Sequence, residues 1–281
     1  MDGIFLVNKP AGVTSRDVVN KLSKQLGVKK IGHVGTLDPF ATGLLVVVVG
    51  KGTKIAPFLE KVDKHYIATL KLGIKTDTLD LEGKVIDEKP VPELNKEIVD
   101  SALKSFVGKL EQVPPMFSAI KCNGVPLYKL ARSNIEVERK VRTIEIYKTR
   151  LLNLKNDEIR FSVKCSKGTY IRTFGEQIAE KLGTVGHLIK LKRTKVGQFD
   201  LKDACEPNKI IRERLINCVD ALSHMDTIEV DNKIAIDIKN GKTIELTNHA
   251  QQVLFVDENR NALAVYEKIN ENIYKCVRGL F

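Results

Sequence analysis

Six consecutive apolar residues, Leu44 to Val49, follow directly on twelve that are rich in Gly, Thr and Pro, Gly32 to Gly43. A short unbroken apolar run of this kind reads as a buried strand, which needs covering layers of its own chain. The twelve residues before it read as a tight, backbone-dense loop that carries one carboxylate, Asp38. Such a loop fixes a side chain while leaving its tip within reach. An Asp before Pro is an ordinary turn residue when it stands alone; here the whole stretch marks Asp38 as a candidate site.

The rest of the chain mixes the two periodicities. Ile4–Val7 reads as a strand that stops at the turn signal Asn8-Lys9-Pro10-Ala11-Gly12. Ser15 is placed to cap a helix with apolar positions Val18, Val19, Leu22 and Leu26, and Gly27 ends it. Tyr66 to Gly73 alternates as a strand, and Thr76 to Asp80 with Gly83 reads as a polar loop. Leu94, Ile98, Ala102, Leu103 and Phe106 fall at helical spacing, closed by Gly108. The paired prolines 114 and 115 exclude a regular element there. Phe161, Val163 and Cys165 alternate with Arg160, Ser162 and Lys164, and Phe174, Ile178 and Leu182 mark a helix ended by Gly183. Strands and helices without regular βαβ alternation predict an α+β fold, built on a mixed, mostly antiparallel central sheet flanked by helices. From about Thr227 short alternating stretches (227–230, 252–256, 262–266) and turn signals predict a small β-rich module. The expected domains are residues 1–224 and 225–281.

Charge narrows the partner. The formal net charge is +11. From Thr227 onward there are 7 Lys and Arg against 8 Asp and Glu, so the first 226 residues carry 39 against 27, a net +12. That excess fits a polyanion, nucleic acid or an anionic membrane surface. The five cysteines are odd in number and show no metal-ligand spacing, which points to a reducing compartment and no zinc site. No signal-peptide pattern and no long apolar stretch is evident, so a cytoplasmic protein is expected.

Several other residues stand out. His33 shares the Asp38 loop, and a solvent-facing His can stack on a base. Tyr66 follows Lys64-His65 and could serve as a nucleobase platform, although a strand Tyr is normally core. Tyr170 and Arg172 are two apart; in an extended segment both would project from one face. An Arg there could pair with a buried carboxylate. Lys190 to Lys195 holds four basic residues in six, a solvated face or a phosphate contact. Glycine-rich nucleotide loops, metal triads and nucleophile elbows are missing.

Together these segments resemble the TruB family of bacterial tRNA pseudouridine synthases. The resemblance runs through Asn8-Lys9-Pro10 with Gly12 and Ser15, Gly32 to Gly43, Tyr66, Thr76-Asp77-Thr78 with Asp80, Gln112 with Pro114-Pro115, and Cys165 to Thr173, closing with Leu191 and Arg193. Asn134 stands where the family often has Gly, and Asn tolerates the same left-handed backbone. The C-terminal module looks like a short PUA domain, though more loosely.

The resemblance implies the pseudouridine synthase fold and a reaction on uridine-55 in the T arm of tRNA. The N1–C1′ bond breaks, the uracil turns and C5 joins C1′, with no metal or redox cofactor. It implies Asp38 as the nucleophile, kept ionised by Arg172. Tyr66 would stack on the base and serve proton transfer at C5. His33 would fill the space vacated by the flipped base, Tyr170 would position Asp38 and the base, and Leu191 would wall the base. Lys9, Gly35, Thr36, Lys192 and Arg193 complete the expected substrate contacts. The partner is tRNA, with no metal or membrane, and the chain is expected to act as a monomer and also to assist tRNA folding. Competing expectations are an RNA-guided isomerase that needs protein partners and an RNA-binding protein without catalysis.

Overall fold

The computed structural model describes residues 1–247 and 249–281. The chain forms two compact units, one of residues 1–38, 44–61 and 198–281, the other of residues 39–43 and 62–197.

The first unit opens with Gly3–Lys9 (β1), Ser15–Leu26 (α1), Ile31–Val34 (β2), Thr42–Val49 (β3, whose first two residues belong to the second unit) and Ala56–Glu60 (α2). β3 lies beside β1 and pairs antiparallel with β2, and its apolar run is buried from end to end. Helix α1 buries Val18, Val19, Leu22 and Leu26, the residues its sequence period marked, and Gly27 ends it in the left-handed conformation at φ 67°. The expected loop is shorter than predicted. Gly32 and His33 lie in β2, opposite Val48 and Val47, and Thr42 and Gly43 already belong to β3.

The second unit comprises Lys64–Leu72 (β4), Ile74–Thr76 (β5), Val85–Glu88 (β6), Lys96–Lys104 (α3), Gly108–Gln112 (β7), Lys121–Cys122 (β8), Val125–Pro126 (β9), Leu127–Arg132 (α4), Arg142–Lys155 (β10), Glu158–Cys165 (β11), Ile171–Lys181 (α5) and Gly186–Val196 (β12). Its sheet runs in the order β12-β4-β11-β10-β7, with neighbours antiparallel. Thr42 and Gly43 pair parallel with Lys192 and Arg193, which makes the sheet mixed. On its buried face Phe174 of α5 meets Phe161 and Phe106 edge-on, at centroid distances of 6.0 and 5.4 Å. Helix α3 stops at Lys104, with Ser105 as its cap; Gly108 opens β7 instead of closing the helix.

Gly43 sits at φ 103°, and a Cβ there would overlap the backbone of Arg193. Both strain and overlap oppose a side chain. Gly43→Ala is therefore expected to lose about 2–4 kcal/mol of stability. Urea unfolding reads this directly, and a loss under about 0.5 kcal/mol would contradict it.

The chain then returns to the first unit with Phe199–Asp200 (β13), Cys218–Ala221 (α6), Asp226–Glu229 (β14), Asn232–Lys239 (α7), Ile244–Glu245 (β15), Gln252–Val256 (β16), Ala262–Lys268 (β17) and Ile273–Gly279 (β18). Five of these strands form a separate sheet, β14-β16-β17-β18-β15, with its own core of Val230, Ile238, Phe255, Tyr266 and Tyr274. The buried hydroxyls of Tyr266 and Tyr274 donate to the carbonyls of Lys242 and Ala250, at 2.9 and 2.8 Å. This is the β-rich module the alternation predicts, with α7 added. All five cysteines are free thiols, and burial pushes that of Cys165 up to about 12, so it stays protonated at neutral pH. Among the described residues no helix is long and apolar enough to cross a membrane.

Candidate active site

The first unit holds Asp38 and its surroundings. Thr14, not Ser15, caps α1. Its hydroxyl accepts from the Asp17 N–H at 3.1 Å, while Asp17 accepts from the Thr14 N–H at 2.9 Å. Ser15 is thereby released for another task. Its buried hydroxyl donates to the Leu37 carbonyl at 3.0 Å and accepts from the Leu37 N–H at 2.9 Å. One hydroxyl thus satisfies both backbone groups of the residue before Asp38. Gly35, at φ 66°, makes the turn that enters this stretch, Thr36 is exposed, and Asp38 is half-buried. Nothing in the spacing of Ser15 and Leu37 signals this clamp.

Ser15→Ala leaves two buried backbone groups without their partner. We expect a stability loss of about 1–3 kcal/mol, together with slower turnover as Asp38 loses its fixed position. Denaturant midpoints and single-turnover rates measured on the same preparation check both.

Lys9 is 0% exposed, and its ammonium donates to the carbonyls of Pro10 and Val13 at 2.9 and 2.7 Å. Expected among the substrate contacts, Lys9 turns its ammonium to the carbonyls of its own loop. The cation shapes the turn that leads into α1.

The second unit holds the other set. Tyr66 lies on β4 between Val163 of β11 and Arg193 of β12, and only 8% of it is exposed. Leu191, opposite Ala68, is buried on the same face of the sheet. Lys192, expected to work with Arg193, points the other way. It sits opposite Ile67 and is exposed, whereas Arg193 is buried. Strand alternation separates them.

Tyr170 and Arg172 do not share an extended segment. Tyr170 is extended at φ −95°, but α5 starts at the next residue, so Arg172 lies in its first turn. Gln112 pins the junction, accepting from the Tyr170 N–H at 2.7 Å and donating to its carbonyl at 3.1 Å.

The Arg172 guanidinium donates to the Thr78 carbonyl at 2.9 Å and the Phe117 carbonyl at 2.7 Å, and lies 3.4 Å from the Asp80 carboxylate. Asp80 also accepts from the Thr78 hydroxyl at 2.7 Å and the Glu82 N–H at 3.0 Å. Both members of the pair have side chains only 5% exposed. Asp80 and the Thr78 carbonyl, with the Phe117 carbonyl, thus form a socket for a buried cation, because a charge removed from water needs such partners. The sequence singled out Arg172 and Tyr170 but not Asp80 as the partner of the first, nor Gln112 as the clamp on the second. The signal available was two carboxylates and two hydroxyls in a stretch otherwise read as loop.

The first unit therefore contains Lys9, His33, Gly35, Thr36 and Asp38, and the second contains Tyr66, Tyr170, Arg172, Leu191, Lys192 and Arg193.

The sequence model described as "TruB family pseudouridylate synthase (N terminal domain)" matches residues 23–171. The protein named tRNA pseudouridine synthase B from Geotalea uraniireducens (strain Rf4) is 45% identical over 249 residues, covering 86% of this chain and 80% of that one. The protein of the same name from Mycoplasma capricolum subsp. capricolum is 39% identical over 281 residues, covering 99% and 96%. In a solved structure described as a Cbf5-Nop10-Gar1 complex, one chain superposes with a TM-score of 0.76 at 21% identity, over 99% of this chain and 85% of that one, and so shares the fold. On this sequence and fold agreement, the chain belongs to the TruB family of pseudouridylate synthases.

Proposed function

We propose that this chain isomerises uridine-55 in the T arm of tRNA to pseudouridine, with Asp38 as the nucleophile. The observation that carries the reading is the end-to-end match to a protein named tRNA pseudouridine synthase B, over 99% of this chain and 96% of that one. Geometry supports it. Asp38 follows a residue whose backbone is gripped by Ser15, and it is only half-buried.

The reaction is balanced within the nucleoside. The N1–C1′ bond breaks, C5 bonds to C1′, the C5 proton leaves and N1 gains one. Asp38 carries the covalent step, which divides one difficult displacement into two easier ones. Tyr66 stacks on the uracil, and its hydroxyl takes part in moving the C5 proton. Flipping the base out of the loop costs a few kcal/mol, and His33 fills the gap. Residues 1–224 form the catalytic domain, and 225–281 a PUA-like RNA-binding domain. The chain works as a monomer in the cytoplasm without metal or cofactor, and also assists tRNA folding.

The test follows the departing proton. A tRNA transcript carrying tritium at uridine C5 is expected to release label to water in proportion to pseudouridine formed. Pseudouridine without tritium release, or neither product, would contradict the scheme.

A further inference from the structure

Strands β10, β11, β4 and β12 present two faces, and the proposed chemistry uses one. Residues paired across neighbouring strands share a face. Tyr66, Leu191 and Arg193 lie with the buried residues Phe161 and Val163. The opposite face is ordered in rows. One row is Lys148, Lys164, His65 and Lys195. The next is Arg150, Ser162, Ile67 and Lys192. A third is Asn153, Arg160, Thr69 and Lys190. Bulges between Leu151 and Asn153, Leu188 and Lys190, and Arg193 and Lys195 keep this alternation in step.

Every Lys and Arg in these rows is exposed, and no row holds a carboxylate. Strands lie about 4.8 Å apart and alternate residues about 6.6 Å, so the cations form a close grid. Lys148 sits directly opposite Lys164, and like charges so placed are destabilising. Acids border the rows, and Glu158, opposite Lys71, follows Arg160 on the same face. Asp63 is 3.7 Å from Lys164 at one end, and Asp157 pairs with Lys71 at 2.6 Å at the other. A polyanion would relieve this repulsion and release its own counterions. The one large apolar residue in the rows, Ile67, is not exposed. With no exposed apolar side chain in the rows to add insertion to charge, the face is left with its cations alone, which suits a phosphodiester backbone.

We propose that this open sheet face binds the phosphodiester backbone of an RNA segment outside the hairpin that carries the target uridine. The hairpin is assigned to the opposite face, which bears Tyr66, so the segment here belongs to the remainder of the same RNA. The inference rests on the tRNA reading above.

The triple variant Arg150→Gln, Arg160→Gln, Lys190→Gln tests it, none of the three being assigned to the catalytic or substrate-binding set. Binding is measured over a salt series with full-length tRNA transcript and with the excised T-arm hairpin. For full-length tRNA we expect affinity to fall about tenfold or more near 0.1 M salt, and the log–log salt slope to shrink by about 2. Hairpin affinity and turnover should stay at the wild-type value. The charge-keeping variant Arg150→Lys, Arg160→Lys, Lys190→Arg should restore most of the full-length affinity, which separates charge from folding. Unchanged full-length binding overturns the proposal, as does an equal loss on the hairpin. So does a loss confined to vesicles containing phosphatidylserine. Wild-type protein that binds tRNA through this face yet makes no pseudouridine would instead sink the functional reading alone.

Discussion

Asp38→Asn is expected to abolish isomerisation, by about 10⁴-fold or more in single-turnover rate, while RNA affinity stays within a few-fold. The amide is nearly isosteric, so the Ser15 clamp on Leu37 is left in place. On the proposed reading only nucleophilicity is lost. On the same reading affinity comes from many phosphate contacts of a chain of net charge +11, and one carboxylate contributes little to it. Carbodiimide-primed reverse-transcription stops measure product, and filter binding measures affinity. A variant that keeps even a tenth of wild-type turnover would remove Asp38 from the covalent step.

Arg172 carries the second large effect. Arg172→Ala strips the donor from the Thr78 and Phe117 carbonyls and leaves the Asp80 carboxylate buried beside the gap. Breaking a buried pair from one side costs about 3–5 kcal/mol. Arg172→Lys keeps the charge but replaces a planar fork by a point donor, so we expect an intermediate stability loss and a clear fall in single-turnover rate. Asp80→Ala exposes the same socket from the other side. The two single alanine losses should therefore exceed additivity with the double mutant by more than about 1 kcal/mol. Additive losses would show that the 3.4 Å pair is incidental.

The elements that a local period writes plainly were legible. Val18, Val19, Leu22 and Leu26 with Gly27 gave α1, and Phe161, Val163 and Cys165 gave β11. Helix α7 was not legible, because Ile234, Ile236 and Ile238 alternate like a strand and the capping by Asp231 was the only contrary sign. The strand β10 was missed because bulges after Ile146 and Leu151 twice break its alternation. At the candidate site, Asp38 was legible from its unusual loop and, with Arg172, from family resemblance. Their supports were not. Arg172 meets Thr78 across 94 positions, and Ser15 meets Leu37 across 22. Contacts of that range leave no local pattern, since either partner is an ordinary polar residue in its own neighbourhood. Lys192 and Arg193 show the converse, as a basic run reads as one feature until the pleat assigns its members to opposite faces.

The most direct measurement incubates the purified chain with a pool of unmodified tRNA transcripts and maps every new pseudouridine. The account predicts one modified position, the T-arm uridine, formed by the wild type and absent with Asp38→Asn. Pseudouridine at other positions, no pseudouridine at all, or an unchanged map with the variant would contradict it.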